Sequence, residues 1–187
     1  MKGIVFREFI DMVESEFSLE TADAIIAASE LSTAGAYTSV GTYPHSEMVS
    51  LVVNLSKQTG LAVPALLNHF GRHLFKRFTV IHPQYVNNYG SAFELLQQLD
   101  GNIHVEVKKL YYDAELPSFT YEQLPEGGMH FDYRSHRGLA DFAQGLIEGC
   151  IEHFGHPVAV SRIDLPADEQ GAHTRFTLTR SADVHAG

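Results

Sequence analysis

Two groups of residues in this chain have the types and spacing to do chemistry. The first surrounds His104. Between Ser91 and Tyr111, the residues Ala92, Leu95, Leu96, Leu99, Ile103, Val107 and Leu110 recur at helical spacing. That predicts one amphipathic helix with those residues as its core stripe. His104 falls beside the stripe, in a row with Phe93, Gln97, Asp100 and Tyr111. Gly101 precedes it, at a helix cost of about 1 kcal/mol relative to Ala, and a glycine there would admit close approach of something flat. A neutral imidazole at a helix edge facing a cavity suits axial ligation of a metal such as a haem iron. A surface histidine beside a tolerated glycine would leave the same local pattern.

The second group is Tyr133-Arg134-Ser135-His136-Arg137. On a strand, Tyr133, Ser135 and Arg137 point one way at period two. Two hydroxyls and a guanidinium then converge, and such a set binds a carboxylate through charge-assisted and neutral hydrogen bonds. Haem propionates are carboxylates of that kind. The other reading is a strand end with Ser135 capping the next helix and Arg137 on the surface. The chain carries no hydrolase elbow, P-loop, dinucleotide fingerprint, HExxH or Cys/His zinc spacing. The rest of the 11 histidines are scattered.

The elements that must position these groups follow from hydrophobic period. Val5, Phe9, Met12, Val13 and Phe17 predict a helix over residues 1 to 17. Ser18, with Thr21 three residues on, predicts the start of a second helix through about Ser29. The Ser/Thr/Gly-rich stretch Leu31 to Gly41 reads as irregular. A third helix is expected from Ser46 to Gln58, ending near Gly60. Pro64 opens a fourth through Leu67, Phe70, Leu74 and Phe78 towards Ile81, and Pro83 stops it. After residue 112 the period changes. Phe119 and Tyr121, then Met129, Phe131 and Tyr133, alternate as strands around a Glu126-Gly127-Gly128 turn signal. A helix from Gly138 to Phe154 and strands over Val158 to Ile163 and Thr174 to Thr179 complete the chain. The expectation is an α+β fold: one domain over 1–187, helical to about 112, then a four-stranded antiparallel sheet with a packed helix over about 113–187.

Composition narrows the partners. The 187 residues are 44% hydrophobic and 19% charged, with 12 Phe, 8 Tyr and no Trp, as in a globular core. A net charge of -10 repels nucleic-acid phosphate and anionic lipid, so no nucleic acid and no membrane partner is expected. Cys150 is the single cysteine, which excludes an internal disulfide and fits a cytoplasmic location. No secretory h-region or membrane-spanning run is read from the sequence.

Together these residues resemble the H-NOX family of haem-binding gas sensors, which includes bacterial proteins and the haem domain of soluble guanylate cyclase. The YxSxR pattern at Tyr133, Ser135 and Arg137 is similar to the family's propionate-binding signature. His104-Val105-Glu106-Val107 through Pro117-Ser118-Phe119 looks like its proximal-histidine helix and the Pro-x-Phe that follows. Met1-Lys2-Gly3-Ile4-Val5 and Gly145-Leu146-Ile147-Glu148-Gly149 also resemble bacterial members. The resemblance implies haem b, with His104 as the axial iron ligand, Tyr133, Ser135 and Arg137 on the propionates, and Pro117 pressing on the macrocycle. It implies a distal pocket of Val5, Phe9, Leu74, Phe78 and Phe142.

Oxygen-binding members carry a distal Tyr at the position of Phe142, with polar support near Phe9 and Leu74. This chain departs from them at each place. It therefore resembles the subclass that takes nitric oxide and carbon monoxide and excludes oxygen. A polar side chain such as Tyr43 or His73 reaching the pocket would alter that reading. With Cys150 alone, the zinc-cysteine site of some members is not expected. The resemblance also implies that nitric oxide breaks the iron–His104 bond. The output would pass to a separate histidine kinase or cyclic-di-GMP synthase or phosphodiesterase, since no such segment is visible here. Alternatives are an oxygen sensor or carrier, or a haem enzyme, which the apolar distal positions oppose.

Overall fold

The apolar spacing of the first 81 residues folds as four helices. A computed structural model describes residues 1–125 and 127–180. In it α1 spans Gly3–Glu16, α2 Leu19–Ala28, α3 His45–Thr59 and α4 Val63–Ile81. Each agrees with its expected segment to within two residues. Ser18 caps α2, its hydroxyl accepting from Thr21 N at 3.1 Å, which satisfies a first-turn N–H that has no partner within the helix. Pro64 lies in the first turn of α4, where a missing N–H costs nothing. The inward faces meet in a first core that includes Phe6, Phe9, Ile25, Leu51, Phe70 and Leu74. Full burial of each such side chain contributes about 1.5–3 kcal/mol.

The expected single helix from Ser91 to Tyr111 is broken. α5 covers Ala92–Gln97, capped by Ser91 Oγ, which accepts from Glu94 N at 3.2 Å. A wide π turn over Leu99–Ile103 follows, with Ile103 N donating to Gln98 O at 3.1 Å, and α6 covers His104–Leu110. The extra residue in that turn rotates everything downstream by about 100°. The expected core stripe therefore serves two surfaces. Ala92, Leu95 and Leu96 are buried in the second core, with Leu95 and Leu96 forming part of a cavity wall, whereas Ile103, Val107 and Leu110 line that cavity from outside the core, and Leu110 is 58% exposed. A methyl group on Gly101 would meet nothing within 4 Å. That glycine belongs to the turn, and the space beside it is open.

The α+β expectation is met. β1 (Ser118–Gln123), β2 (Met129–Ser135), β3 (Val158–Asp168) and β4 (Gly171–Arg180) form an antiparallel sheet in the order β1-β2-β4-β3, and α7 covers Ala140–Phe154. Glu126, part of the expected turn, and residues 181–187, part of the expected domain, lie outside the described residues. β3 and β4 are longer than expected. The register shifts between Leu165 and Asp168, around Pro166, which has no N–H for the ladder, and pairing resumes at Asp168 opposite Gly171. The inner face of the sheet packs on α5 and α7 in a second core, with Phe131, Phe176, Leu178, Ile147 and Cys150 at its centre.

The two cores are joined where α4 crosses α7. A methyl group on Gly71 would lie 2.4 Å from Phe142 O, and one on Gly145 2.0 Å from Asn68 O. Only glycine permits backbones that close. Arg72 and Asn68 clamp the crossing, with Nη2 and Nδ2 donating to Glu148 Oε2 at 2.7 and 2.9 Å.

Candidate functional site

Between the two cores lies a cavity of about 600 Å³, within the usual range for a ligand pocket. α6 lines it with His104, β2 with Tyr133 and Ser135, and the adjoining loops with Pro117 and Arg137. α1, α4 and α7 line it with Val5, Leu74, Phe78 and Phe142. Residues separated by up to 137 positions in sequence thus share one space.

His104 is the first residue of α6, aimed by the π turn before it. Its Nδ1 lies 3.1 Å from Asp100 Oδ1, and its ring centroid lies 5.8 Å from that of Phe119. Burial pushes the imidazole below its ordinary pKa, against the opposing pull of Asp100. A neutral ring donating Nδ1–H to a carboxylate keeps its lone pair on Nε2. Among the described residues Nε2 makes no hydrogen bond. Sequence reasoning put Asp100 in the row of His104 but gave it no role; the four-residue spacing was the available signal.

The polar edge of the cavity has both a structural and a binding aspect. Tyr133 OH accepts from Leu139 N at 3.3 Å, and Ser135 Oγ accepts from Arg137 N at 3.2 Å. Ser135 therefore shapes the turn after β2 and does not cap α7, whose N-cap is Leu139. Arg137 is not a surface side chain. It is 17% exposed, and its Nη2 donates to Glu115 Oε2 at 3.0 Å. Glu115 itself is largely in solvent, so the guanidinium receives a carboxylate that is free to leave.

Phe9 is placed one layer back from the cavity. It is fully buried, edge-on to Phe70 at 5.1 Å, and Phe70 in turn stacks on Phe142 at 5.1 Å. Val5 and Phe9 share a face of α1, but the ring of Phe70 intervenes. His73 does not line the cavity; its Nδ1 stands 3.4 Å from Glu16 Oε1. Tyr43 does line it, but its hydroxyl accepts from Thr38 N at 2.9 Å. His82 and Tyr85, from the end of α4 and the turn after it, also line the cavity. Nothing in their local sequence marked them. Cys150 is buried there as well, with its thiol pushed up by burial.

Among the described residues no group of three His, Cys, Asp or Glu side chains is arranged to hold a metal ion. A single imidazole holds a metal only when the metal brings its other ligands with it, as porphyrin iron does. The cavity, the free Nε2 and the carboxylate-binding Arg137 therefore fit haem.

A model of the Haem-NO-binding family matches residues 2–162. This chain belongs to that family, the H-NOX proteins. Its members are haem-binding gas-sensor domains, and the α+β architecture above is theirs. The unliganded Fe(II) H-NOX protein from K. algicida is 37% identical, with all of both chains covered and a TM-score of 0.87. The IWP-051-bound Fe(II)CO H-NOX from Shewanella woodyi is 39% identical, covering 100% of this chain and 97% of that one, with a TM-score of 0.83. Soluble guanylate cyclase 89Db of Drosophila melanogaster is 24% identical over 157 residues, 82% of this chain. The match spans 23% of the length of that fly protein. No helix among the described residues of this H-NOX chain is long and apolar enough to cross a membrane.

Proposed function

We propose that this H-NOX chain is one haem-binding domain over residues 1–187 that senses nitric oxide and controls a separate signalling protein, without catalysis of its own. The observation that carries the reading is convergence. His104, Pro117, Tyr133, Ser135, Arg137 and the apolar Val5, Leu74, Phe78 and Phe142 line one cavity. When bound, haem supplies an iron that takes nitric oxide or carbon monoxide. His104 Nε2 would hold that iron, with Asp100 fixing the ring's tautomer. Arg137, whose partner Glu115 is solvent-exposed, would hold a propionate, with Tyr133 and Ser135 beside it. Pro117, in the cavity wall, would press on the macrocycle. With Cys150 alone there is no CxxCH for covalent attachment, which supports haem b.

The signal is movement of α6. The helix has seven residues, none of them fully buried, and enters from a π turn. A helix held so lightly would be free to shift without disturbing either core if His104 gave up its ligand. The partner is a histidine kinase or a cyclic-di-GMP synthase or phosphodiesterase in the cytoplasm, reading surfaces that move with α6. In the fly relative the matched stretch is a minor part of a protein named as a cyclase, so there the named activity is carried by a chain that extends well beyond the matched stretch.

The absorbance spectrum of the purified protein tests this. A Soret band that shifts when nitric oxide is added to the reduced protein is expected. A protein that takes up no haem overturns the proposal. One observation favours an oxygen sensor or carrier instead: Tyr85 and His82, both with polar side chains, are among the residues that line the cavity.

A further inference from the structure

The segment leaving α6 is tied to the helical part of the protein by Lys2. Its ammonium donates to Val40 O at 2.6 Å, Thr42 Oγ1 at 2.9 Å and Asp113 Oδ1 at 3.1 Å. It also stands 5.2 Å from the centroid of the Tyr111 ring. Thr42 Oγ1 donates in turn to Asp113 Oδ2 at 2.5 Å. Tyr111 directly follows Leu110, the last residue of α6, and Asp113 lies two residues further on. Lysine ordinarily stands in solvent, yet this side chain is only 11% exposed. All three of its N–H directions reach oxygen, and its charge faces a ring.

Lys2 is itself held firmly. Gly3 N donates to Gly41 O at 2.8 Å and Tyr43 N to Met1 O at 2.9 Å, and Lys2 bridges to Thr42 as a short antiparallel pair. A methyl group on Gly3 would lie 1.9 Å from Thr38 O. Glycine there lets residues 1–3 lie against the loop 38–43. The hub therefore has a fixed base on the helical side, and its grip on the other side falls on Tyr111 and Asp113 alone.

We propose that Lys2, with Thr42 and Asp113, is a positioning latch for the helix that carries His104. A seven-residue helix has no stability of its own, so the position of α6 depends on what holds its two ends. The π turn and Asp100 hold one end, and the latch holds the other. Displacement of α6 requires the latch to open, and its strength sets how readily His104 leaves its place. The functional consequence rests on the reading of His104 as the iron ligand.

Hydrogen exchange on the full chain, read on peptides covering residues 104–113, measures the latch without any gas ligand. Lys2→Met and Asp113→Asn are each expected to speed exchange there about three- to tenfold. The double variant adds little to either, as for residues acting through one contact. Lys2→Arg retains part of the protection, and Lys57→Met, on the exposed side of α3, changes nothing. In the reduced haem protein, the absorbance change on adding nitric oxide should complete faster in Asp113→Asn, which lower global stability alone would not produce. If Lys2→Met does not fold, Asp113→Asn gives the same measurement at a carboxylate on the surface. Unchanged exchange over 104–113, or exchange faster throughout the chain, overturns the latch. A normal haem spectrum in that case leaves the reading of His104 intact. A wild-type protein with no haem spectrum overturns that reading, while exchange still decides the latch.

Discussion

His104 Nδ1 and Asp100 Oδ1 lie 3.1 Å apart across the π turn that separates α5 from α6. A ring that donates Nδ1–H to this carboxylate keeps its lone pair on Nε2, so under the proposed ligation Asp100 would govern how strongly His104 holds iron. Asp100→Asn keeps the side-chain shape and removes the charge. Haem transfer to excess apoglobin is expected to be about tenfold faster in this variant. His104→Gly should empty the site unless imidazole is supplied. Equal transfer rates for Asp100→Asn and wild type would remove Asp100 from the site, and an unchanged Soret band in His104→Gly would remove His104.

Arg137 should matter more to haem retention than Tyr133 or Ser135. Both hydroxyls accept backbone N–H groups and can offer a carboxylate only one neutral O–H each, whereas the guanidinium is charged and faces a carboxylate that solvent can replace. Charge-assisted bonds are about twice as strong as neutral ones. Haem-loss rates should rank Arg137→Ala above Tyr133→Phe and Ser135→Ala. Any other ranking contradicts the assignment of the clamp.

The reduced wild-type protein is expected to give no stable new spectrum in air. Val5, Leu74, Phe78 and Phe142 offer no side-chain donor, and a hydrogen bond to a ligand carrying partial negative charge is worth about 1.5–3 kcal/mol, or ten- to a hundredfold in affinity. Phe142→Tyr should move the protein towards oxygen binding. A persistent oxygen-dependent spectrum in wild type would reverse the proposal, and its loss in Tyr85→Phe would name the donor.

Acid stability should depend on Asp132, which is buried on β2. Arg175 donates to it through Nε at 2.7 Å and Nη2 at 2.9 Å. His173 Nε2 stands 3.2 Å away without the alignment of a hydrogen bond. Arg175, ahead of the opposing effect of burial, holds the Asp132 carboxyl below its ordinary value of 3.8. The unfolded chain therefore binds the proton more readily. The contribution is complete above that value and is lost as pH falls below it towards the folded pKa. Asp132→Asn should cost about 1–3 kcal/mol at pH 7 and progressively less in acid. Urea midpoints at both ends of that range measure this, and parallel losses in the two proteins would exclude Asp132 as the cause.

The sequence by itself determined the elements whose code is local. Ser18 and Pro64 mark helix starts through one or two backbone groups, alternation in Phe119–Tyr121 and Met129–Tyr133 places strands, and the spacing of Tyr133 and Ser135 puts both on one side of β2, with Arg137 in the turn that follows. Tertiary structure alone decided the break at Leu99–Ile103, because periodicity assumes a constant turn per residue, and the choice of an i−5 over an i−4 partner depends on what α5 and α6 pack against. It decided that Phe9 sits behind Phe70 while Tyr85 and His82 reach the cavity, since a face on one helix says nothing of which ring from another helix covers it. It also decided the meeting of Lys2 with Asp113, 111 positions apart. Such a pair leaves no local trace, because the entropy of closing that loop is met by the packing of both cores and not by the two residues themselves.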